Sequence, residues 1–436
     1  MEPTPPKKET KQERIQRLLR KYEQELQESL TEGPQTLEEI EAEVSKIGKR
    51  VQKDLQEEKL ISLGTGYTHD RLPCACGSRA DYHADYSRRL LTLHGAFPLS
   101  RAYYYCRACK QGSCPLDTLL GLDKGETSIG LRGLVARLSA YMPDRKAALE
   151  AALLCGVRLA PATTQRLSRA VGEQLAREWQ AEEKRVWAGR SPDPDRPIGR
   201  LHASMDGVFV HVDKQWREVK VGVAYERSDA GVEGASYYAT LAKSADFGRR
   251  WRTLAHRQGS GKCLQWAVVA DGAEWIWQEA GKYASTRVQI LDFYHALEHL
   301  WGVARARFGE GSEAAGEWIS LQKERLLTDK VAEVIADIAA WSPPSKAGEE
   351  IRTGQLAYLR THAPRMRYQT FREAGWHIGS GVMEASCKAV VQGRLKGVGM
   401  HWSAEGAEAM LHLRAAWCTS QETDFTAIAR RATMAA

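Results

Sequence analysis

Apolar positions recur every three or four residues near the start of the chain, at Ile15, Leu18, Leu19 and Tyr22, with Lys, Arg and Glu between them. That spacing predicts a helix. Gly33-Pro34 interrupts it before a second helix from Leu37, so residues 1–60 read as a helical hairpin or short coiled coil. Over 67–120 the pattern changes to short β runs, Leu90-Leu91-Thr92-Leu93 and Ala102-Tyr103-Tyr104-Tyr105, with Gly95 and Pro98 between them. A small β-hairpin module is expected there. Residues 128–187 return to helical spacing, and Ser191-Pro192-Asp193-Pro194-Asp195-Arg196-Pro197 predicts a linker because its prolines forbid a continuing helix.

Beyond the linker, residues 201–212, 216–225 and 237–241 have strand character, 245–256 helical character, and 264–270 strand character again. Residues 288–291 form a short fifth strand that runs into a helix beginning near His295. Three strands joined by tight connections, followed by alternating helices and strands, predict an α/β layer arrangement of ribonuclease-H type over 198–308. A largely helical stretch, 309–376, interrupts this core, which resumes over 377–420 with a helix near Glu384.

Composition narrows the class. With 436 residues, 43% hydrophobic and 27% charged, and a mean hydropathy of −0.46, the chain has the balance of a soluble protein of two to four domains. No apolar run reaches the length of a membrane span, and the Met1 end lacks the apolar region of a secretory signal, so a cytoplasmic protein is expected. The net charge is +7, but the first sixty residues hold twelve Lys or Arg against fourteen Asp or Glu, a net of −2. The rest therefore carries +9, which suits a polyanionic partner.

Five of the nine cysteines crowd one segment, which suggests metal binding more than disulfides. Cys74-x-Cys76 and Cys106-x-x-Cys109 are two thiolate pairs separated by a hairpin-sized segment, the arrangement by which a zinc ribbon brings four sulfurs to one structural Zn²⁺. The first pair is one residue short of the usual knuckle, which leaves Cys114 as an alternative fourth ligand. Further on, a helix from Arg145 to Cys155, a turn at Gly156 and a helix opened by Pro161 carry Gln165, Arg166 and Arg169. This is the outline of a helix-turn-helix that enters a DNA major groove, although plain helical hairpins share it.

Asp206 interrupts the apolar run Ser204-Met205-Asp206-Gly207-Val208-Phe209, and Asp271 ends another, Ala267-Val268-Val269-Ala270-Asp271-Gly272. A carboxylate in a buried strand costs several kcal/mol unless it is paired or holds a metal, so two such aspartates suggest a shared cation site. Turn-forming Asp-Gly dipeptides are the plainer alternative, and they fit Asp206 poorly because its strand continues to Val212. Glu384 follows Gly379-Ser380-Gly381, where Ser380 can cap a helix, and steps of four give the polar stripe Glu384, Lys388, Gln392 and Lys396. Taken alone, that stripe reads as a surface ion pair. His295-Ala296-Leu297-Glu298-His299 matches the His-x-x-Glu-His pattern of inverted zinc peptidases, the main rival reading. Gly259-Ser260-Gly261-Lys262 precedes a strand instead of following one and is no phosphate loop.

Together the Cys pairs, Asp206-Gly207, Ala270-Asp271-Gly272-Ala273-Glu274-Trp275-Ile276, Leu291-Asp292-Phe293-Tyr294-His295-Ala296 and Gly379-Ser380-Gly381-Val382-Met383-Glu384 resemble the ISKra-type insertion-sequence transposases of bacteria. Arg394-Leu395-Lys396-Gly397 and Gly399-Met400-His401-Trp402 extend the resemblance, which covers nearly all of the chain after Tyr67. It implies a DDE transposase with Asp206, Asp271 and Glu384 as the catalytic triad and a helical insertion between the second and third acids. The chain is also similar to the wider Mutator-like group, whose Asp/Cys-x-x-His element corresponds here to Asp292-x-x-His295. The expected activity is cleavage and strand transfer of double-stranded DNA at terminal inverted repeats and target, with Mg²⁺ or Mn²⁺ held by the acids and the protein a homo-oligomer on DNA. His295, Lys388, Arg394 and Lys396 are expected to contact DNA, and Trp402 to stack on an unpaired base or else fill the core. A catalytically silent DNA-binding relative is the alternative within the same class.

Overall fold

The computed structural model describes residues 9–31, 36–122, 125–192, 199–228, 231–261, 263, 266–283 and 288–434. Gly33-Pro34, Lys262 and most of the 191–197 segment lie outside them, as do the first two residues of the strand expected over 264–270. The fold is mixed α/β and divides into two units: residues 1–139, 143–167 and 424–436 form the first, and 140–142 with 168–423 the second. Among the described residues no helix is long and apolar enough to cross a membrane.

In the first unit, helices Lys11–Thr31 and Leu37–Ser62 form the expected hairpin. Its seam is polar as well as apolar: Arg17 pairs with Glu58, Lys21 and Tyr22 with Asp54, and Arg50 with Glu25. Thr36 and Glu39 build a reciprocal capping box at the start of the second helix. Four antiparallel strands follow in sequential order, β1 (Arg71–Pro73), β2 (Arg79–Thr92), β3 (Gly95–Cys106) and β4 (Gln111–Ser113). The two central strands are far longer than the predicted apolar runs, because β2 keeps one face exposed and fills it with Arg, Asp, Tyr and Ser. Helix Asp144–Cys155 ends at Gly156, whose φ of 65° is the left-handed value that glycine adopts without strain, and Pro161 opens the 27-residue helix Pro161–Trp187, of which residues 168 onward belong to the second unit.

The second unit contains a five-stranded sheet: β5 (Leu201–Val212), β6 (Gln215–Ser228), β7 (Gly231–Thr240), β8 (Trp266–Ala270) and β9 (Val288–Leu291), in the order β7-β6-β5-β8-β9. The first three are an antiparallel meander, whereas β8 and β9 run parallel to β5. β8 is buried along its whole length, as a strand covered on both faces must be, and its sequence Trp-Ala-Val-Val-Ala offers nothing polar to expose. Helices Ser244–Arg257, Glu274–Tyr283 and Phe293–Phe308 supply side chains to one apolar core around Trp251, Ile276 and Leu300. Helices Glu313–Leu327, Val331–Ala340 and Lys346–His362 extend that core, so the helical stretch before Glu384 packs as a continuation of the sheet's covering layer.

Candidate active site

Strand register places the first two acids. Ala203 of β5 is level with Val268 of β8, and three residues further on this alignment brings Asp206 level with Asp271, just past the end of β8. Ala270 is level with Leu291, so Asp271 and Asp292 leave β8 and β9 at the same height. Adjacent strands lie about 4.8 Å apart, which puts all three side chains at one end of the parallel part of the sheet. Glu384 arrives from helix Gly381–Ser386, and Asp206, Asp271, Asp292 and Glu384 line a single cleft of about 410 Å³ with Tyr294, His295, Glu298, His377 and Ser380.

The acids differ in environment. Asp206 accepts the Gly207 N–H at 2.6 Å and a long thiol contact from Cys387 at 3.4 Å, and no Lys, Arg or His pairs with it among the described residues. Burial first, and then the negative charge of Asp271 and Glu218, raises its carboxyl above the ordinary aspartate value. Asp271 accepts the Ala273 N–H at 3.0 Å and has no cationic partner either among the described residues. Gly272 is required beside it, since a Cβ there would lie 2.3 Å from the Tyr358 ring. Glu384 is exposed and bonded to Lys388 Nζ at 2.7 Å, which holds its carboxyl below the usual glutamate value. Two unpaired, partly buried carboxylates and a third on the facing helix are a donor set of hard oxygens that suits a divalent cation such as Mg²⁺. The three line the cleft without converging as closely as the cysteines described below.

Asp292 has a different task. Its Oδ1 accepts the His295 N–H at 2.6 Å, capping helix Phe293–Phe308, and its Oδ2 accepts the Ser380 N–H. With the bond from Phe293 N–H to Ile378 carbonyl, at 3.0 Å, this ties the segment ahead of Glu384 to the end of β9. The Ser380 side chain makes no cap, contrary to expectation, because the residue's contribution is its backbone N–H. Along the expected four-residue stripe from Glu384, Lys388 and Lys396 are exposed and Gln392 half-buried, and residues Cys387–Gln392 are π-helical, a departure from the expected α-helix.

Other expected contacts separate into exposed and enclosed. Lys388 and Lys396 are exposed, as are Gln165, Arg166 and Arg169, the last paired with Glu173 at 2.7 Å. His295 lines the cleft. Arg394, only 2% exposed, lies over the Trp402 ring at 5.0 Å, and the Trp402 indole N–H donates to the Leu395 carbonyl at 3.2 Å. Both are enclosed: Trp402 takes the core place that was its other expectation, and Arg394 is not on the surface where a DNA contact was expected. His299 is stacked on Tyr358 with ring centroids 3.8 Å apart and bonded through Nδ1 to Gln355 at 2.8 Å, and among the described residues His295 and His299 belong to no group of three metal-ligating side chains.

In the first unit Cys74, Cys76, Cys106 and Cys109 come together, and among the described residues they are the group whose ligand atoms lie within 4.8 Å of one another. Cys74 and Cys109 sulfurs are 3.6 Å apart, Cys76 and Cys106 sulfurs 3.7 Å. Four sulfurs around one tetrahedral zinc stand about 3.8 Å apart, so the set fits such an ion and would hold it as a structural crosslink. The short Cys-x-Cys loop closes because Gly77, with φ 87°, turns the chain and lets Cys74 N–H reach the Ser78 carbonyl at 2.8 Å. At the other loop the backbone N–H of Cys109 leads in holding the Cys106 thiol down, to about 7. Cys114 stands outside the group, beside Arg101 and Asp117.

Two residues of the cleft, Glu298 and His377, and Cys387 beside Asp206 lie beyond what the sequence reveals. Glu298 figures there only within a peptidase motif. Cys387 carries a signal in its position three residues after Glu384, one helical turn. His377 carries none. Comparison of the chain with family models finds no match. Comparison with curated proteins finds none either.

Proposed function

We propose that the protein is a DNA transposase of the DDE type, in which Asp206, Asp271 and Glu384 serve a metal-assisted cleavage and joining of DNA strands. The observation that carries this reading is the meeting of three acids, from stretches up to 178 residues apart in sequence by their numbering, in one cleft where two of them have no cation to balance them among the described residues. The strand order β7-β6-β5-β8-β9, with a three-stranded meander and two parallel additions, supports a ribonuclease-H-like core. The helices over 309–376 then form its insertion.

Bound Mg²⁺ or Mn²⁺ would supply activation of the attacking oxygen and neutralisation of the leaving one. The chain's own groups do the rest. Asp206 and Asp271, fixed on rigid strands, hold their oxygens at a constant spacing, and the Gly207 and Ala273 N–H groups fix their rotation. Glu384 completes the set from the facing helix once Lys388 releases it, and Lys388 is then free for a strand phosphate. His295 lines the same cleft and can donate to a phosphate oxygen.

In the first unit, the cysteine group reads as the zinc ribbon and the 144–167 helices as a helix-turn-helix, with Gln165 and Arg166 facing DNA. The partner is double-stranded DNA carrying the element's terminal inverted repeats, joined by a homo-oligomer of the chain. The deciding experiment incubates the protein and Mg²⁺ with DNA that flanks its own coding region. Nicking at discrete ends is expected, and loss of it in each of Asp206→Ala, Asp271→Ala and Glu384→Ala with DNA binding intact. Cleavage that survives Asp206→Ala sinks the assignment.

A further inference from the structure

A second cavity, of about 520 Å³, lies in the same unit between the start of β9 and the segment from Thr361 to Trp376. Its size falls within the range of about 300–1,000 Å³ usual for small-ligand sites. Arg365 and Arg367 both line it, and neither meets a carboxylate among the described residues. Arg365 donates through Nε to Gln289 Oε1 at 2.7 Å and lies over the Trp277 ring at 4.5 Å. Burial lowers its pKa, the mark of a cation short of a counter-charge. Asp329, which touches the 368–373 helix, spends its oxygens on the Gln369 and Thr370 N–H groups and the Thr370 hydroxyl. Phe371 and Trp376, almost fully buried, reach the cavity only at their rims. A guanidinium only donates, so Gln289 must turn its oxygen to Arg365, and its amide N–H groups are left for a ligand.

Two guanidiniums without a counter-anion call for phosphate, and a free amide beside them calls for the polar edge of a base. We propose that this cavity seats one unpaired nucleotide of a DNA strand, its phosphate on Arg365 and Arg367 and the edge of its base on the Gln289 amide. Trp376 lines this cavity and the next residue, His377, lines the catalytic cleft, so a DNA strand held in the cleft passes close to the cavity. The inference rests on the proposed reading that the chain acts on DNA, and it names a single-stranded contact for that activity.

The test measures binding of a short fluorescein-labelled single-stranded oligonucleotide by the full chain in EDTA, where no cleavage occurs. Arg365→Gln with Arg367→Gln is expected to lower affinity at least about tenfold and to flatten the salt dependence by about 0.7 for each phosphate left without its arginine. Because Arg365 also packs on Trp277, the exposed Arg367→Gln alone is the second variant, with an unchanged unfolding midpoint and a smaller reduction in the same direction. Unchanged affinity and salt slope in both variants overturn the proposal, as does displacement of the oligonucleotide by inorganic phosphate as readily as by a mononucleotide. Weakened strand binding in the variants, combined with absent Mg²⁺-dependent cleavage by the unsubstituted chain, supports the cavity and removes the transposase reading. Unchanged binding with cleavage intact does the reverse.

Discussion

The Asp292 carboxylate accepts the backbone N–H of Ser380, four residues ahead of Glu384, while its other oxygen caps the 293–308 helix. One buried side chain, 4% exposed, thereby sets the third acid's segment against the strand that ends beside the second acid. Asp292→Ala removes acceptors from two half-buried N–H groups. Loss of the cap costs about 0.5–2 kcal/mol, and the unpaired Ser380 N–H, reachable by water, adds about 1 or less. Denaturant unfolding of the variant should show a loss of that order, and cleavage should fall more than DNA binding does. Asn, which keeps one acceptor oxygen, should recover part of the stability, and equal losses for Ala and Asn would rule out the double clamp.

Asp206 carries a charge that burial disfavours, so its folded-state pKa stands above the unfolded one. For a carboxyl raised in this way the penalty is absent below the unfolded pKa and complete above the folded one, so at neutral pH the charge destabilises the metal-free protein. Asp206→Asn should therefore raise the thermal midpoint in EDTA by a few degrees, the shift that about 1 kcal/mol gives in a unit of this size. It should also abolish cleavage. Added Mg²⁺ should raise the midpoint of the parent and leave the variant unmoved. A variant less stable than the parent in EDTA would contradict an unbalanced charge.

Zinc content separates the two ligand sets that the sequence leaves open. The purified chain should hold one zinc, released on titration of thiols, and Cys76→Ser should lose it together with protection of the 71–113 strands from hydrogen exchange. Cys114→Ser should keep it. A zinc-free protein with a fully protected sheet would make the four thiols a plain cluster.

Legibility followed how far each signal is local. β5 and β9 matched their expected bounds because apolar residues dominate both, although His202, Ser204, His211 and Gln289 interrupt them and Asp206 is the one acid within β5. β2 was foreshortened, since the exposed half of Arg79–Thr92 is spelled with residues that also make loops. Asp206 and Asp271 could be read because a charge in an apolar strand breaks a rule. Glu384 could not, because a Glu and Lys four apart satisfy every rule of a surface helix, and the π-helical turn behind them leaves no mark on the 3.6-residue period. Arg394 is enclosed by stacking on the Trp402 indole, against its expected place on DNA, because residue type alone does not tell such a guanidinium from an exposed one. Tyr358 under Gly272 depends on the packing of the 346–362 helix and has no local signature.

The Glu384 and Lys388 pair makes opposite demands on a test of Lys388. As a phosphate contact, its removal weakens DNA binding uniformly and reduces the slope of log affinity against log salt by about 0.9. As a mere partner of Glu384, its removal leaves that slope alone and frees the acid for the cation, so Mg²⁺ is needed at lower concentration. Lys388→Ala should show the first effect in duplex binding in EDTA and the second in the Mg²⁺ dependence of cleavage. An unchanged salt slope would confine Lys388 to its ion pair.

Histidine burial gives the second unit its acid sensitivity. His202, 1% exposed and stacked on Tyr225 at 5.3 Å, is pushed down to about 4, by burial first and then by His377 and Arg227. Between that value and the ordinary histidine value near 6.5, the unfolded chain binds a proton that the folded chain refuses, so stability falls as pH falls through this window. One such group sets a slope of at most about 1.4 kcal/mol per pH unit. His362 is lowered to about 4 as well, by burial and the neighbouring Arg365, and adds in the same direction. Chemical unfolding at pH 7, 6, 5 and 4.5, conditions chosen to span about that window, should show the decline. His202→Phe should flatten it by the share of one proton, whereas an unaltered slope would place the titration elsewhere.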